Sequence, residues 1–337
     1  MNLLVTGGAG YIGSHMTLYL LDLGHQVTVF DNLSHGYRDA VSGAKLVVGD
    51  LQDRGLLDTL FKANEFDGVM HFASFIEVAE SIVNPQKYYG NNVSNTLNLL
   101  EAMNRHKVRR LIFSSSAAVY GEPEYVPIDE KHPKSPLNPY GRSKWMVEQF
   151  LHDFDRACQL RSISLRYFNA AGADPDCEIG EDHDPETHVI PVAIQVANQL
   201  RDAFGIYGDD YPTTDGTAVR DYVHVVDLVD AHLRALDRLD ESLGAINLGT
   251  HDGLSVRQIV EAVERVSGRP LPVRIEPRRP GDPPALIADT TKAADVLGWA
   301  PQHSTVDEMV ESAWCWFTRY PNGYASAPAV PTASAAT

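Results

Sequence analysis

A chain of 337 residues with 44 % hydrophobic and 22 % charged side chains has the composition of a globular protein that builds its core without disulfide or metal staples. Its formal net charge of -17 excludes a nucleic-acid binder, which needs a basic stripe against phosphates, but leaves room for a small phosphorylated ligand held by a few local donors. No apolar run reaches the ~20 residues of a membrane span, and the apolar start at Asn2–Thr6 is too short for a secretory signal.

Short β-branched runs alternate with helical stretches from the first residue. Leu3–Thr6 reads as a strand, Tyr11–Leu23 as a helix closed by Gly24, and Gln26–Phe30, Lys45–Val48 and Val69–Phe72 as further strands. Asn91–His106 places Val93, Leu97, Leu100 and Met103 along one helical face. Strand Leu111–Ser115, a helix through Lys144–Phe154 and strand Ser162–Arg166 follow. This alternation predicts an α/β fold with a doubly wound parallel sheet covered on both faces. After Asn169 the chain turns acidic and turn-rich over 173–187, and helices recur at Val226–Leu239, Val256–Val266 and Val306–Phe317 between Pro- and Gly-rich loops. The expected organisation is a first domain over 1–170, a smaller mixed α/β lobe over 171–324, and a disordered tail over 325–337, rich in Ala, Pro, Ser and Thr. The three cysteines lack CxxC spacing and read as unpaired thiols of a reducing, cytoplasmic setting. The 13 histidines lack HExxH or comparable spacing and read as scattered, so no metal is expected.

Gly7, Gly10 and Gly13 sit between the first strand and the first helix in the spacing G-x-x-G-x-x-G. Glycine permits the tight turn and lets a pyrophosphate approach the backbone, while the free N–H groups and dipole of the helix start favour the anion. A tight turn without a ligand would use the same residues. Asp31, at the end of the second strand and 18 residues past Gly13, can accept both ribose hydroxyls and would repel a 2′-phosphate, which favours NAD over NADP. Asp50-Leu51 would lie near the adenine, or Asp50 would simply cap a helix.

Ser114, Ser115 and Ser116 end a strand, so their hydroxyls emerge at the carboxyl edge where ligands bind in this architecture. Tyr140 and Lys144 stand four apart on a helix and share one face. The ammonium is expected to lower the phenol pKa from about 10 and so prepare a general base.

These motifs resemble the extended short-chain dehydrogenase/reductase family. The resemblance runs through Val5–His15, Phe113–Gly121, Leu165–Asn169 and Gly216–Val225, and covers nearly the whole chain. It implies a Rossmann-like NAD domain, a substrate lobe and a homodimer with no nucleic-acid or membrane partner. It also implies inversion of a hydroxyl-bearing carbon of a nucleotide-linked sugar, with C4 of a UDP-hexose the leading case and pentose or N-acetylhexosamine substrates as alternatives. By the same resemblance Tyr11, Ile12, Asp31, Asn32, Leu33, Ser34, Asp50, Leu51, Phe72, Ala73, Asn91, Ser114, Lys144 and Phe168 line the cofactor. Ser116 and Tyr140 face the sugar. Asn169, His188, Tyr207, Arg220, Arg279 and Asp282 take the nucleotide, where a guanidinium fork suits a pyrophosphate, and Leu286 borders the sugar. Tyr140 would take the 4-hydroxyl proton through Ser116 while hydride passes to NAD and returns to the other face.

Three positions depart from the family pattern. Ile76 replaces a cation, which implies looser cofactor retention. Ala118 replaces a threonine, and His188 replaces an asparagine. A nucleotide-sugar 4,6-dehydratase is disfavoured, because Ala117-Ala118 stands where an acidic pair would supply the added acid and base. A non-catalytic NAD sensor is disfavoured by the retained Ser, Tyr and Lys.

Overall fold

The computed structural model describes residues 1–241, 243–279 and 281–326. Seven parallel strands form its main sheet: β1 (Asn2–Thr6), β2 (Gln26–Asp31), β3 (Lys45–Val48), β4 (Gly68–His71), β5 (Arg110–Ser114), β6 (Arg161–Tyr167) and β7 (Gly244–Leu248). Their order is β7-β6-β5-β4-β1-β2-β3, with the reversal on either side of β1 that defines a doubly wound sheet. Thr6 pairs with both Phe30 and His71, and Ser114 with Leu165, so the carboxyl ends of the central strands come out level on one edge.

Both faces are covered, as near-continuous apolar strands require. On one face, Leu3, Val5, Met70 and Ile163 pack under α1 (Tyr11–Asp22) and the helix Val225–Asp237. On the other, Leu4, Val69, Leu111 and Phe113 pack under helices Arg54–Ala63, Thr96–Arg105 and Pro139–Cys158. A third core, including Ile190, Ile206, Val263 and Met309, belongs to the smaller lobe with its short mixed sheets.

The structure departs from the sequence reading at several points. The helix read over 91–106 begins as a π-helical segment, Tyr89–Asn95, and becomes α-helical only at Thr96–Arg105. The wider turn lets buried Asn92 bond both the N–H and C=O of Phe75 and the hydroxyl of Ser143. Strand β7 and the helix before it come from beyond residue 170 yet complete the main sheet. Cys177 and Cys315 are joined in a disulfide with a Cα–Cα distance of 5.9 Å, which overturns the reading of three unpaired thiols; only Cys158 is free. The pair, 138 residues apart, was invisible to spacing because it forms only when helix Val306–Arg319 docks on the 174–178 turn. No helix among the described residues is long and apolar enough to cross a membrane. Residues 327–337 of the expected disordered tail lie outside the described residues.

Four histidines are buried as neutral rings. Burial pulls His71 down to about 3 and His15, His224 and His232 to about 4. His71 shows the arrangement: Thr96 gives its proton to the carbonyl of Asn92, so it accepts from Nε2 of His71, and Thr6 donates to Nδ1. Folded-state values below the free value of about 6.5 mean that the unfolded chain binds more protons in between. The stability is complete above pH ~6.5 and is lost as pH falls toward 4, and toward 3 for His71, at about 3–5 kcal/mol for each ring. His183 and His188 act oppositely: burial opposes their protonation, but Glu181 outweighs it and raises both. Urea midpoints at pH 7.5, 6 and 5 are therefore expected to fall steeply with acidification; a flat series would contradict the four-ring account.

Candidate active site

The glycine turn is built by close backbone approach. Gly7 has φ +72°, and a Cβ there would lie 2.4 Å from the amide nitrogen of Ala73. A Cβ on Gly13 would lie 2.1 Å from the carbonyl oxygen of Gly7. Gly10 is different: a Cβ there would meet only the Gly7 oxygen, at 3.5 Å. The protein does not itself require glycine at 10, whereas a diphosphate lying against the backbone would. Gly10 also starts α1 without a side-chain cap, so the first N–H groups, around Tyr11 and Ile12, keep their capacity for an anion.

Asp31 braces this turn. One carboxylate oxygen accepts from Ala9 N at 2.9 Å and the other from Leu33 N at 2.8 Å. Burial raises its pKa, and these two donors pull it back. Each oxygen keeps a second lone pair for a ribose hydroxyl. Asn32 donates to Asp50 at 2.7 Å and accepts from Ser34 N at 3.0 Å. Asp50 accepts from Gln52 N, while the cap of helix Arg54–Ala63 is Asp53, so Asp50 is not that cap. Leu51 is buried in the core under this rim, and Phe72 and Ala73 follow β4 directly across from the glycine turn.

At the opposite side of the edge, Asn138 caps helix Pro139–Cys158 through Gly141 N at 2.8 Å. A Cβ on Gly141 would lie 2.3 Å from the carbonyl oxygen of Ala118, so glycine lets the first turn of this helix press against the segment after Ser116. That contact brings Tyr140 to Ser116. Lys144 Nζ donates to the carbonyl of Ser114 at 2.8 Å and lies 5.8 Å from the Tyr140 ring centroid. Ser114 in turn is hydrogen-bonded to the Tyr167 hydroxyl.

The expected lowering of the Tyr140 pKa does not hold in the protein alone. Burial raises it, a hydrogen bond with Ser116 pulls it down, and Glu77 pushes it up. Burial also draws Lys144 down to about 7, against the opposing charge of Glu148. The i,i+4 spacing placed the two groups together, but desolvation weakens the cation that was to do the tuning and penalises the phenolate.

The residues read as nucleotide-binding gather on the lobe side. Arg220 pairs with Asp282 and also donates to the carbonyl of Val219 at 2.7 Å. The Arg279 guanidinium lies 3.9 Å from the centroid of the Tyr207 ring. Asn169 donates to the carbonyl of Asp221 at 2.8 Å. Leu286 pairs with Arg220 in a short parallel bridge and packs in one cluster with Phe168, Ala117 and Tyr120. Asn91 bonds Asn92, Ile76 is 39 % exposed, and His188 turns Nδ1 toward Glu181 rather than standing alone.

Three positioning residues escaped sequence reasoning. Asn92 ties the Phe75 loop to the Tyr140 helix. Glu77 lies close enough to Tyr140 to raise it. Asp221, fully buried, accepts from Thr250 N, Thr250 Oγ1 and Ala288 N and so joins the lobe to the end of β7. Asp221 lies within the Gly216–Val225 motif, but its role shows only in these contacts.

A sequence model of the NAD dependent epimerase/dehydratase family matches residues 3–249. The chain is 48 % identical over 328 residues to a UDP-glucose 4-epimerase of Halalkalibacterium halodurans, covering 97 % of this chain and 98 % of that one. It is 49 % identical over 327 residues to one from Lacticaseibacillus casei, covering 96 % and 99 %. The solved UDP-glucose 4-epimerase from Bifidobacterium longum in complex with NAD+ and UDP superposes with a TM-score of 0.91 at 41 % identity, covering 96 % of this chain and all of that one. With a glycine turn shaped for a diphosphate and full-length kinship of this order, the chain belongs to the NAD dependent epimerase/dehydratase family.

Proposed function

We propose that the chain is a UDP-glucose 4-epimerase that interconverts UDP-galactose and UDP-glucose on bound NAD. The observation that carries this reading is the convergence of Ser116, Tyr140 and Lys144 at the carboxyl edge of the sheet that also carries the glycine turn, in a chain nearly half identical to enzymes of that name along their full length. Incubation with UDP-galactose, without added cofactor and then with NAD, tests it. Formation of UDP-glucose is expected; no conversion in either condition would refute it.

The glycine turn, Asp31 and the rim from Asn32 to Leu51 would hold the adenosine diphosphate half of NAD, and Lys144 and Phe168 the nicotinamide half. When bound, NAD supplies the hydride acceptor for C4 and a positive ring charge that favours the phenolate. Tyr140 takes the proton of the 4-hydroxyl, with Ser116 sharing the hydrogen bond, and returns it after the sugar has turned over. Lys144, anchored by the Ser114 carbonyl, is held on the Tyr140 side of the site. Arg220, Arg279, Asn169 and Tyr207 orient the UDP so that only the sugar is free to rotate, and Asp282 fixes the Arg220 fork. Helices Thr96–Arg105 and Pro139–Cys158 supply the face of a homodimer, a reading supported by exposed Met146, Ile82 and Val83 on and beside that helix pair.

Asp31 makes the cofactor choice testable. Its carboxylate, held by two backbone N–H groups, cannot swing away from a 2′-phosphate, so NAD is expected to bind at least about tenfold more tightly than NADP, a difference of ~1.4 kcal/mol. Comparable dissociation constants would defeat the assignment. Leu286 makes sugar size testable as well. Packed, like Phe168 and Ala117, against the core of Val119, Tyr120 and Ile128, it leaves less room than a small residue would, and UDP-N-acetylglucosamine is expected to turn over more slowly than UDP-glucose. Equal rates would count against a role for Leu286.

A further inference from the structure

The loop Glu181-Asp182-His183-Asp184-Pro185-Glu186-Thr187-His188 folds two carboxylates and two imidazoles onto one point. One ligand atom from each of Glu181, His183, Glu186 and His188 lies within 4.8 Å of every other. This differs from the expectation of scattered histidines. The ligand residues sit on an irregular loop, so their spacing has no helical signature such as HExxH.

Two features of the cluster are not met by hydrogen bonds. Glu186 is only 6 % exposed, and its Oε1 is occupied by the N–H groups of Thr187 and His188, both at 2.8 Å. Its Oε2 is buried with no hydrogen-bond partner, and His183 Nδ1 lies 4.0 Å away. His188 Nδ1 is also buried without a partner: Glu181 Oε1 lies 2.6 Å from it, but off the direction a ring proton would take. A buried carboxylate oxygen without a donor is unfavourable, and a cation placed against it would relieve it. The surrounding contacts hold the ligands in place rather than relieve them. The Trp316 indole donates to the Glu181 carbonyl at 2.9 Å, and Glu181 itself is 3 % exposed.

We propose that Glu181, His183, Glu186 and His188 form a binding site for a divalent transition-metal cation, with zinc the best fit. Two imidazole nitrogens and two carboxylate oxygens suit a borderline ion in four-coordination. Calcium and magnesium, which take all-oxygen shells, fit poorly. The site goes beyond the epimerase reading and does not depend on it. Its position gives it a structural role. The His183 ring stands edge-on to Tyr11, 6.4 Å between centroids, at the start of the helix that follows the glycine turn. Thr187 donates to the Glu77 carboxylate at 3.4 Å, and His188 leads directly into helix Val189–Ala197 of the smaller lobe. A cation here ties the lobe to both flanks of the cofactor cleft while staying off the reacting atoms.

The test uses full-length protein stripped with a chelator and dialysed. Titration with Co2+, and separately with Zn2+, is expected to give one ion per chain, with the visible absorption of four-coordinate cobalt and a rise in melting temperature on adding zinc. Mg2+ and Ca2+ should give neither. A His183→Ala/Glu181→Gln double variant should lose at least about tenfold in affinity together with the thermal response. Glu186→Gln, which preserves shape, keeps the test valid if the double variant fails to fold, and it should also weaken binding by at least about tenfold. Substoichiometric uptake by the parent, or equal affinity in Glu186→Gln, would overturn the site and leave the four residues as a protonated hydrogen-bonding cluster.

Discussion

Replacing Tyr140 with phenylalanine is expected to lower turnover by about 10²–10⁴-fold while leaving folding and UDP binding near those of the parent. Phenylalanine keeps the ring volume, so the packing of helix Pro139–Cys158 against the Ala118 carbonyl should survive. What is lost is the oxygen that hydrogen-bonds Ser116 and carries the sugar proton. Ser116→Ala should cost less, because that hydroxyl shares the hydrogen bond without carrying the proton away. Lys144→Ala should lower the rate and also weaken NAD, and it leaves the Ser114 carbonyl without its 2.8 Å donor. If Tyr140 were only a structural aromatic, its phenylalanine variant would retain turnover within a few-fold of the parent. Rates and NAD dissociation constants for the three variants, measured side by side, separate the two accounts.

Arg166→Met is expected to destabilise the fold by about 3–5 kcal/mol, the usual cost of leaving one member of a buried ion pair alone. Arg166 and Glu148 are 3 % and 6 % exposed as side chains and pair directly. Around them Ser115 donates to Glu148 at 2.6 Å, Arg166 donates to the Tyr120 hydroxyl at 2.8 Å, and Tyr120 donates to Asn247 at 2.6 Å. The network therefore links the residue after β5, the Tyr140 helix, β6 and β7, and it fixes Ser116 relative to Tyr140. Glu148→Leu in the Arg166→Met background should recover much of the loss, because the stranded charge is then gone. Urea unfolding of both single variants and the double variant measures this. Near-additive losses would show that packing, and not the uncompensated charge, dominates.

Several elements were legible because their signal is local. The first strand, the glycine turn, α1 and Asp31 follow one another within 31 residues, and the turn geometry leaves few alternatives to glycine at 7 and 13. The level carboxyl edge follows from parallel pairing of apolar strands, so the serine end of β5 could be assigned to it in advance. Tyr140 and Lys144 met because helical periodicity puts i and i+4 on one face. Even the carboxylate at 31 was placed correctly at the end of its strand, although its two backbone donors were not foreseen.

What depended on distant partners could not be read from the chain. Gly244–Leu248 is five residues long with Asn247 in the middle of its apolar run, and it becomes a strand of the main sheet because β6 offers an unpaired edge and Asn247 finds Tyr120 and Ile128 to bond. The buried Asp221 and the Cys177–Cys315 disulfide join groups far apart in the chain, and the Glu181–His188 cluster depends on the path of an irregular loop that no periodic spacing reveals. The charge state of the site is of the same kind. Sequence spacing alone determined that Lys144 would stand beside Tyr140 at the edge of a doubly wound sheet. Only the tertiary structure decided that both would be buried deeply enough for desolvation to raise the phenol and lower the amine, because solvent exclusion is a property of the packed surroundings and not of the spacing between two residues.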